Sequence, residues 1–317
     1  MEQIATRDAY GQALKELGLE NDNIVVLDAD LSKSTKTADF QKVRPEHFIN
    51  VGIAEQNLMG IAAGIAATGR IPFASSFAMF ATGRAFEIVR NSIAYPRLNV
   101  KIVATHSGVT VGEDGGSHAA IEDISLMRSV PNMTVLVPAD GPETMQAIRK
   151  AAAMDGPVYI RLGRSKVPVI YGDDYVFEIG KASRLREGKD VSLFATGIMV
   201  SVAMEAAALL AEEGIEADLW NISSIKPLDE AAIAGSLKKT GCGVSAEEHN
   251  IYGGLGSAVA ETAGKLAPAP LEQVGVRDVF GESGSPSELL VKFGLTPDAI
   301  VQAAKKAIAR KQTVAER

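Results

Sequence analysis

The stretch NVKIVATHSGVTVGEDGGSHAAIED, residues 99–123, decides the fold. It opens on a short β-branched run around Ile102 and Val103, of the type that marks a strand buried on both faces. It then breaks into a polar, glycine-rich loop that gathers His106, Glu113, Asp114 and His118. In open α/β sheets, ligands bind at the C-terminal ends of such strands. Glycines there permit positive φ and let backbone approach a ligand closely. Solvation alone can explain a polar loop, yet a loop in this place carries function more often than a random one.

Working outward, the same strand type recurs at 23–30 (NIVVLDAD), 70–77, 132–140 and 156–163. Helical patterns lie between, at 54–68, 80–95 (placing Phe80, Arg84, Phe86 and Val89 near helical spacing) and 140–154, where Asp140 caps and Pro142 sits in the first turn. From Arg164 to Lys181 the rhythm breaks around Pro168, Gly172 and paired aspartates. A second series follows, with strands near 190–197, 215–223, 241–249 and 271–278 and helices near 200–214, 228–240, 254–266 and 296–311. The expected fold is two consecutive three-layer α/β/α domains with mostly parallel sheets, at 1–166 and 185–317, joined by a linker at 167–184.

Composition narrows the function. The chain has 317 residues, 46% hydrophobic and 22% charged, with aromatics at 5%, which is globular and suits packed α/β layers. A net charge of −7 without a dense basic tract argues against nucleic acid. One cysteine, Cys242, excludes an internal disulfide and a cysteine-based zinc cluster. The first residues lack the apolar core of a signal peptide, and the apolar stretch 58–68 is too short to span a bilayer. The expectation is a soluble, cytoplasmic protein away from membranes.

Glu55 stands in NVGIAEQNLMGIAAGIAATG, residues 50–69, before a helix rich in small residues. Two readings remain open. A first-turn Glu favours the helix macrodipole and helps cap it. Alternatively it is a carboxyl in an apolar site, its pKa raised by desolvation, sharing a proton with a ligand nitrogen. Arg7 before a helix and Arg164 after a strand read first as surface charges, although Arg matches phosphate with a bidentate fork. GGLGSAVAE, 253–261, is a near-match to a dinucleotide fingerprint, but Val259 holds the third position, so the glycines are read as a tight turn and helix packing. Glu247, Glu248 and His249, at a strand end, are expected at an interface or the surface.

These motifs resemble the C-terminal half of the transketolase family over essentially the whole chain. The most specific piece is THSGVTVGEDGGSH (105–118), and VGIAEQNLMGIAAGIA (51–66), ADLSKS (29–34) and SFAMFATGRA (76–85) support it. The resemblance implies a pyrimidine-binding domain and a transketolase C-terminal domain. It implies thiamine diphosphate as cofactor, with Glu55 hydrogen-bonding the aminopyrimidine and so activating the carbon that attacks a ketose carbonyl. Phe77 and Phe80 match aromatics that wall the pyrimidine, and Asp30 and Leu31 match positions beside the cofactor. His106, Ser34, Arg7 and Arg164 match substrate-phosphate groups; Asp114 matches a contact to a substrate hydroxyl, and His118 a group near the reacting carbons.

The family's G-D-G segment for diphosphate and metal has no counterpart here. That implies a split enzyme: an N-terminal transketolase subunit would carry the diphosphate-binding domain and Mg²⁺ (or Ca²⁺), in an α2β2 assembly acting on sugar phosphates. The chain departs from the family at Gly83 (a third aromatic), Ser107 (Asp), Gly116 (Pro) and Ala119 (Gln). Other functions in play are a deoxyxylulose-phosphate-synthase-like or 2-oxo acid dehydrogenase beta-type subunit, and a regulatory or scaffold subunit without catalysis.

Overall fold

The computed structural model describes residues 2–315. The first half contributes β1 (Gln3–Ala5), β2 (Ile24–Asp28), β3 (Phe48–Asn50), β4 (Ile71–Phe77), β5 (Lys101–Thr105), β6 (Thr134–Leu136), β7 (Val158–Arg161) and β8 (Lys166–Pro168). The second contributes β9 (Ser183–Arg186), β10 (Val191–Ala195), β11 (Ala217–Asn221), β12 (Ser224–Lys226), β13 (Gly243–Asn250) and β14 (Leu271–Val276). A seven-stranded sheet runs β12-β6-β7-β5-β4-β2-β3, parallel except for β12. A five-stranded sheet runs β14-β13-β10-β11-β9, parallel except for β9.

Both sheets are covered on both faces, which explains the apolar runs within their central strands. In β2, Val25 and Leu27 pack with Leu58 and Met59 of the helix Glu55–Ala67, while Ile24 and Val26 pack with Leu14 of the helix Thr6–Glu20 and Ile148 of the helix Gly141–Ala153. In the second half, Val191 and Leu193 of β10 meet Val200 of the helix Met199–Glu212 and Ile300 of the helix Pro297–Ala315. Phe194 points the other way, into a cluster that continues into the first half's core. The expected α/β architecture is therefore observed, with the two cores joined.

β12 comes from the second half yet closes the edge of the first half's sheet against β6. Within 167–184 the chain is tied down rather than loose. Asp140 Oδ2 accepts from Ile170 N at 2.7 Å and Tyr171 N at 2.9 Å, and Gln146 Oε1 accepts from Phe177 N at 2.8 Å.

Glu247, Glu248 and His249 are the clear correction. They are buried, with exposures of 1%, 3% and 0%, not surface residues. Each acidic group is answered internally, as a buried charge must be. Glu248 Oε1 accepts from Thr110 N at 2.6 Å, and burial pushes its carboxyl above the usual range. Glu247 accepts from Leu255 N at 2.7 Å and Gly256 N at 2.8 Å. It thus fills the helix N-terminus that a dinucleotide phosphate would use. A Cβ on Gly254 would lie 2.0 Å from Glu247 Oε2, so the glycine there serves packing, as expected.

Behind the 106–123 loop lies a buried ion pair. Asp123 Oδ2 accepts from Arg161 Nε at 2.8 Å and from Tyr159 OH at 2.6 Å. Arg161 Nη2 also donates to Ala120 O at 3.2 Å and Glu248 O at 2.8 Å, joining the two halves. Replacing Asp123 by Ala leaves a buried guanidinium unpaired. Chemical denaturation of Asp123→Ala is expected to show a loss of about 3–5 kcal/mol; a loss below about 1 kcal/mol, the range of an exposed pair, would contradict this account.

Candidate active site

The C-terminal ends of β2, β3, β4, β5 and β7 and the segments that leave them lie at one end of the seven-stranded sheet. They carry, in turn, Asp30, Leu31 and Ser34; Glu55; Phe77 and Phe80; His106, Asp114 and His118; and Arg164. Arg7 joins them from inside the first turn of the helix Thr6–Glu20, rather than from before it. Buried Asp28, at the end of β2, shapes the first loop by accepting from Thr35 Oγ1 at 2.7 Å and Thr37 Oγ1 at 2.9 Å.

Glu55 is the first residue of its helix and only 1% exposed. Its surroundings are not purely apolar, as the sequence suggested. Arg84 Nη1 donates to Glu55 Oε2 at 2.7 Å, while Oε1 has no hydrogen-bond partner among the described residues. The Arg84 guanidinium also lies over the Phe80 ring, its Cζ 4.9 Å from the centroid. Sequence reasoning missed this residue because a half-exposed Arg at helical spacing reads as a solvated charge. The segment is in fact wound more widely than an α-helix: Ala85 N donates to Phe80 O, five residues back, at 3.4 Å. Such wide turns gather at functional sites.

The aromatic wall is continuous. Phe77 and Phe80 are nearly parallel, at 15°, with centroids 6.2 Å apart. His106 stacks on Phe77 at 3.9 Å, and His118 stands edge-on to Phe80 at 5.1 Å. Arg7 Nη1 donates to His106 Nε2 at 3.0 Å and to Ser34 O at 3.2 Å. Arginine can only donate, so Nε2 accepts and the ring proton sits on Nδ1, donating to Thr105 Oγ1 at 2.8 Å. His106 adopts φ +59°, a left-handed conformation held by these contacts.

Among the described residues Arg7 Nε is buried without a partner, an unfilled donor that fits an anionic ligand. Arg164 Nη1 bonds Glu113 Oε2 at 3.0 Å and lies 4.0 Å from Asp114 Oδ2. Asp30, at φ +65°, is tied to Asn50 Nδ2 at 3.0 Å instead of meeting the rings. Rings, one open carboxylate oxygen and an unfilled basic donor suit a planar heterocycle with an anionic substrate. Among the described residues, no group of three or more His, Cys, Asp or Glu stands in metal-holding geometry.

Two departures from the family pattern acquire physical reasons. Ser107 Oγ donates to Leu162 O at 2.9 Å, a bond that a carboxylate at 107 could not donate. A Cβ on Gly116 would lie 2.4 Å from Gly281 O, so a proline cannot occupy that place. A Cβ on Gly281 would in turn lie 2.5 Å from Ala119 Cβ, so the backbone at 281 runs close against residue 119. The second half therefore packs directly against the loop that carries Asp114 and His118.

Burial, reinforced by the charges of Arg7 and Arg164, pushes the His106 ring down to about 3. The folded state thus binds this proton less readily than the unfolded chain. His106 contributes stability above about pH 6.5 and loses it as pH falls towards the folded value. Nitrogen NMR of the ring is expected to show the neutral Nδ1–H tautomer between about pH 5 and 8, the range in which ordinary histidines titrate. A midpoint near about 6.5 would contradict the burial argument.

The chain matches two family models: "Transketolase, pyrimidine binding domain" over residues 2–169, and "Transketolase, C-terminal domain" over residues 180–300. It is 47% identical over 311 residues to a 6-deoxy-6-sulfo-D-fructose transketolase subunit of Clostridium sp. (strain MSTE9), covering 98% of this chain and 97% of that one. It is 39% identical to human transketolase (Homo sapiens) over 98% of this chain, but over only 50% of the human protein. A solved structure described as "Split gene transketolase, inactive beta4 tetramer" superposes with TM-score 0.90 at 56% identity, covering 98% of this chain and 100% of that one. No helix among the described residues is long and apolar enough to cross a membrane. The chain belongs to the transketolase family, with a pyrimidine-binding domain followed by a C-terminal domain, as a subunit of the split, two-chain kind.

Proposed function

We propose that this chain is the pyrimidine-side subunit of a thiamine-diphosphate-dependent transketolase that moves a two-carbon ketol unit from a phosphorylated ketose to an aldose. The observation that carries the reading is Glu55: a buried carboxyl with one free oxygen, beside the ring set Phe77, Phe80, His106 and His118. When bound, thiamine diphosphate supplies the nucleophilic carbon and electron sink needed to break a carbon–carbon bond beside a carbonyl.

The chain's own residues do the rest. Glu55 Oε1 holds a proton against a ring nitrogen. Phe77 and Phe80 wall the ring and, with the buried alanines behind them, exclude water. Neutral His106, its two ring nitrogens engaged by Thr105 and Arg7, stacks on Phe77 and holds the Arg7 guanidinium towards the substrate without adding charge. Arg7, through its unfilled Nε, and Arg164 draw in the terminal phosphate of the sugar, with Ser34 alongside. The Clostridium relative is named for a sulfonated ketose, and a terminal sulfonate would suit the same basic pair. Asp114 faces a substrate hydroxyl, His118 stands near the reacting carbons, and Asp30 and Leu31 form the cofactor's near rim.

The diphosphate and its Mg²⁺ (or Ca²⁺) belong, in this reading, to a separate N-terminal subunit. The helix Glu55–Ala67 has a face ready for that partner or for a second copy. Gly60 and Gly64 are exposed with nothing within 4 Å of an added Cβ, and nearby Ile53 is 78% exposed. Two chains of each kind, α2β2, would give two sites.

In the reconstituted complex, Glu55→Ala is expected to lower ketol transfer from a ketose phosphate by about 10²–10⁴-fold. Undiminished transfer would remove Glu55 from the chemistry. A wild-type complex that decarboxylates pyruvate and leaves ketose phosphates untouched would replace this reading with a 2-oxo acid one.

A further inference from the structure

The Arg84 side chain sits on the same two groups, the Glu55 carboxylate and the Phe80 ring, that a bound pyrimidine would need. Its Nη1 holds Glu55 Oε2 at 2.7 Å, and its Cζ lies 4.9 Å from the Phe80 centroid. We propose that Arg84 is a positioning residue that stands in for the cofactor's pyrimidine in the unassembled chain and yields its place when the ring enters. The inference rests on the transketolase reading above.

The chemistry of the two groups supports the substitution. A guanidinium is flat, donates N–H bonds from its edge and stacks on aromatic faces. An aminopyrimidine is also flat, hydrogen-bonds from its edge and stacks. One pocket with a carboxylate at its end and a ring at its side accepts either.

Burial decides which partner moves. The Glu55 side chain is 2% exposed and the Arg84 side chain 50%. Glu55 is fixed at the start of a packed helix, and burying it unanswered would be costly. Arg84 sits on a wide-turn segment at the surface, on a long flexible stem. Gln56 Nε2 donates to Arg84 O at 3.3 Å, so the backbone stays anchored while the guanidinium swings. Among the described residues Arg84 is the one basic group paired with Glu55. Entry of the ring breaks this pair and returns a bond to the same carboxylate.

Arg84 therefore acts with opposite signs in two states. It stabilises the chain alone and weakens cofactor binding by the complex. A purely structural residue does not produce this pair of signs, and neither does a residue that grips the cofactor.

The test is Arg84→Ala, with Arg84→Lys and the double variant Arg84→Ala/Glu55→Gln beside it. In the chain alone, Arg84→Ala is expected to lower the melting temperature. The double variant should recover most of that loss, because a neutral amide needs no counter-charge. In the assembled complex, calorimetry with thiamine diphosphate and Mg²⁺ is expected to show Arg84→Ala binding about tenfold more tightly than wild type, the equivalent of one modest ion pair. Arg84→Lys, charged but without the flat fork, should fall between them. Weaker binding by Arg84→Ala would show that Arg84 grips the cofactor, and an unchanged affinity would show that the two do not share a place; either overturns the proposal. A wild-type complex that binds no thiamine diphosphate would remove the underlying functional reading, and the placeholder with it.

Discussion

A carboxylate taken almost wholly out of water must be answered, and at Glu55 this constraint organises the site. The helix that buries Glu55 also packs Leu58 and Met59 onto β2, so the charge cannot be withdrawn without dismantling the layer beneath. Arg84 answers it within the chain, over the face of Phe80. From there the contacts run without a break through Phe80, Phe77 and His106 to Arg7. One end of this line is a carboxyl suited to a heterocycle, and the other is a basic group suited to a sugar's terminal anion.

The second domain is more than a neighbour. Glu248 holds Thr110 N, Arg161 ties Ala120 O to Glu248 O, and Gly281 lies against Gly116. The loop bearing His106, Asp114 and His118 is thus cast against the end of β13 and the segment after β14. Its rim follows from that docking, and the glycine at 116 is what close approach demands. In this way the C-terminal domain shapes the loop that carries His106, Asp114 and His118.

Much of the fold was legible because strands buried on both faces read as near-continuous apolar runs, and β2 (Ile24 to Leu27), β5 (Ile102 to Ala104) and β10 (Leu193 to Ala195) each carry one. The short strands β1, β8 and β12 were not legible: they owe their pairing to partners far away in sequence, not to their own composition. The loop from His106 to His118 announced itself by clustering titratable groups among glycines at a strand's end. Arg84 did not, since its partner lies 29 residues earlier and a half-exposed Arg has many ordinary uses. Glu247 and Glu248 misled for a related reason. Adjacent acids suggest solvent, whereas here one fills a helix N-terminus and the other a loop's backbone donor. The left-handed conformation of His106 is set by tertiary contacts and left no trace in composition.

The central claim is that this chain supplies one wall of a cofactor site and leaves the other to a partner. It is tested most directly by titrating thiamine diphosphate, with Mg²⁺ present, into the chain alone and into the chain assembled with its N-terminal partner. The account predicts heat of binding in the assembled complex and none in the chain alone. Tight binding by the chain alone would contradict it, because a complete diphosphate site would then have to lie within these 317 residues.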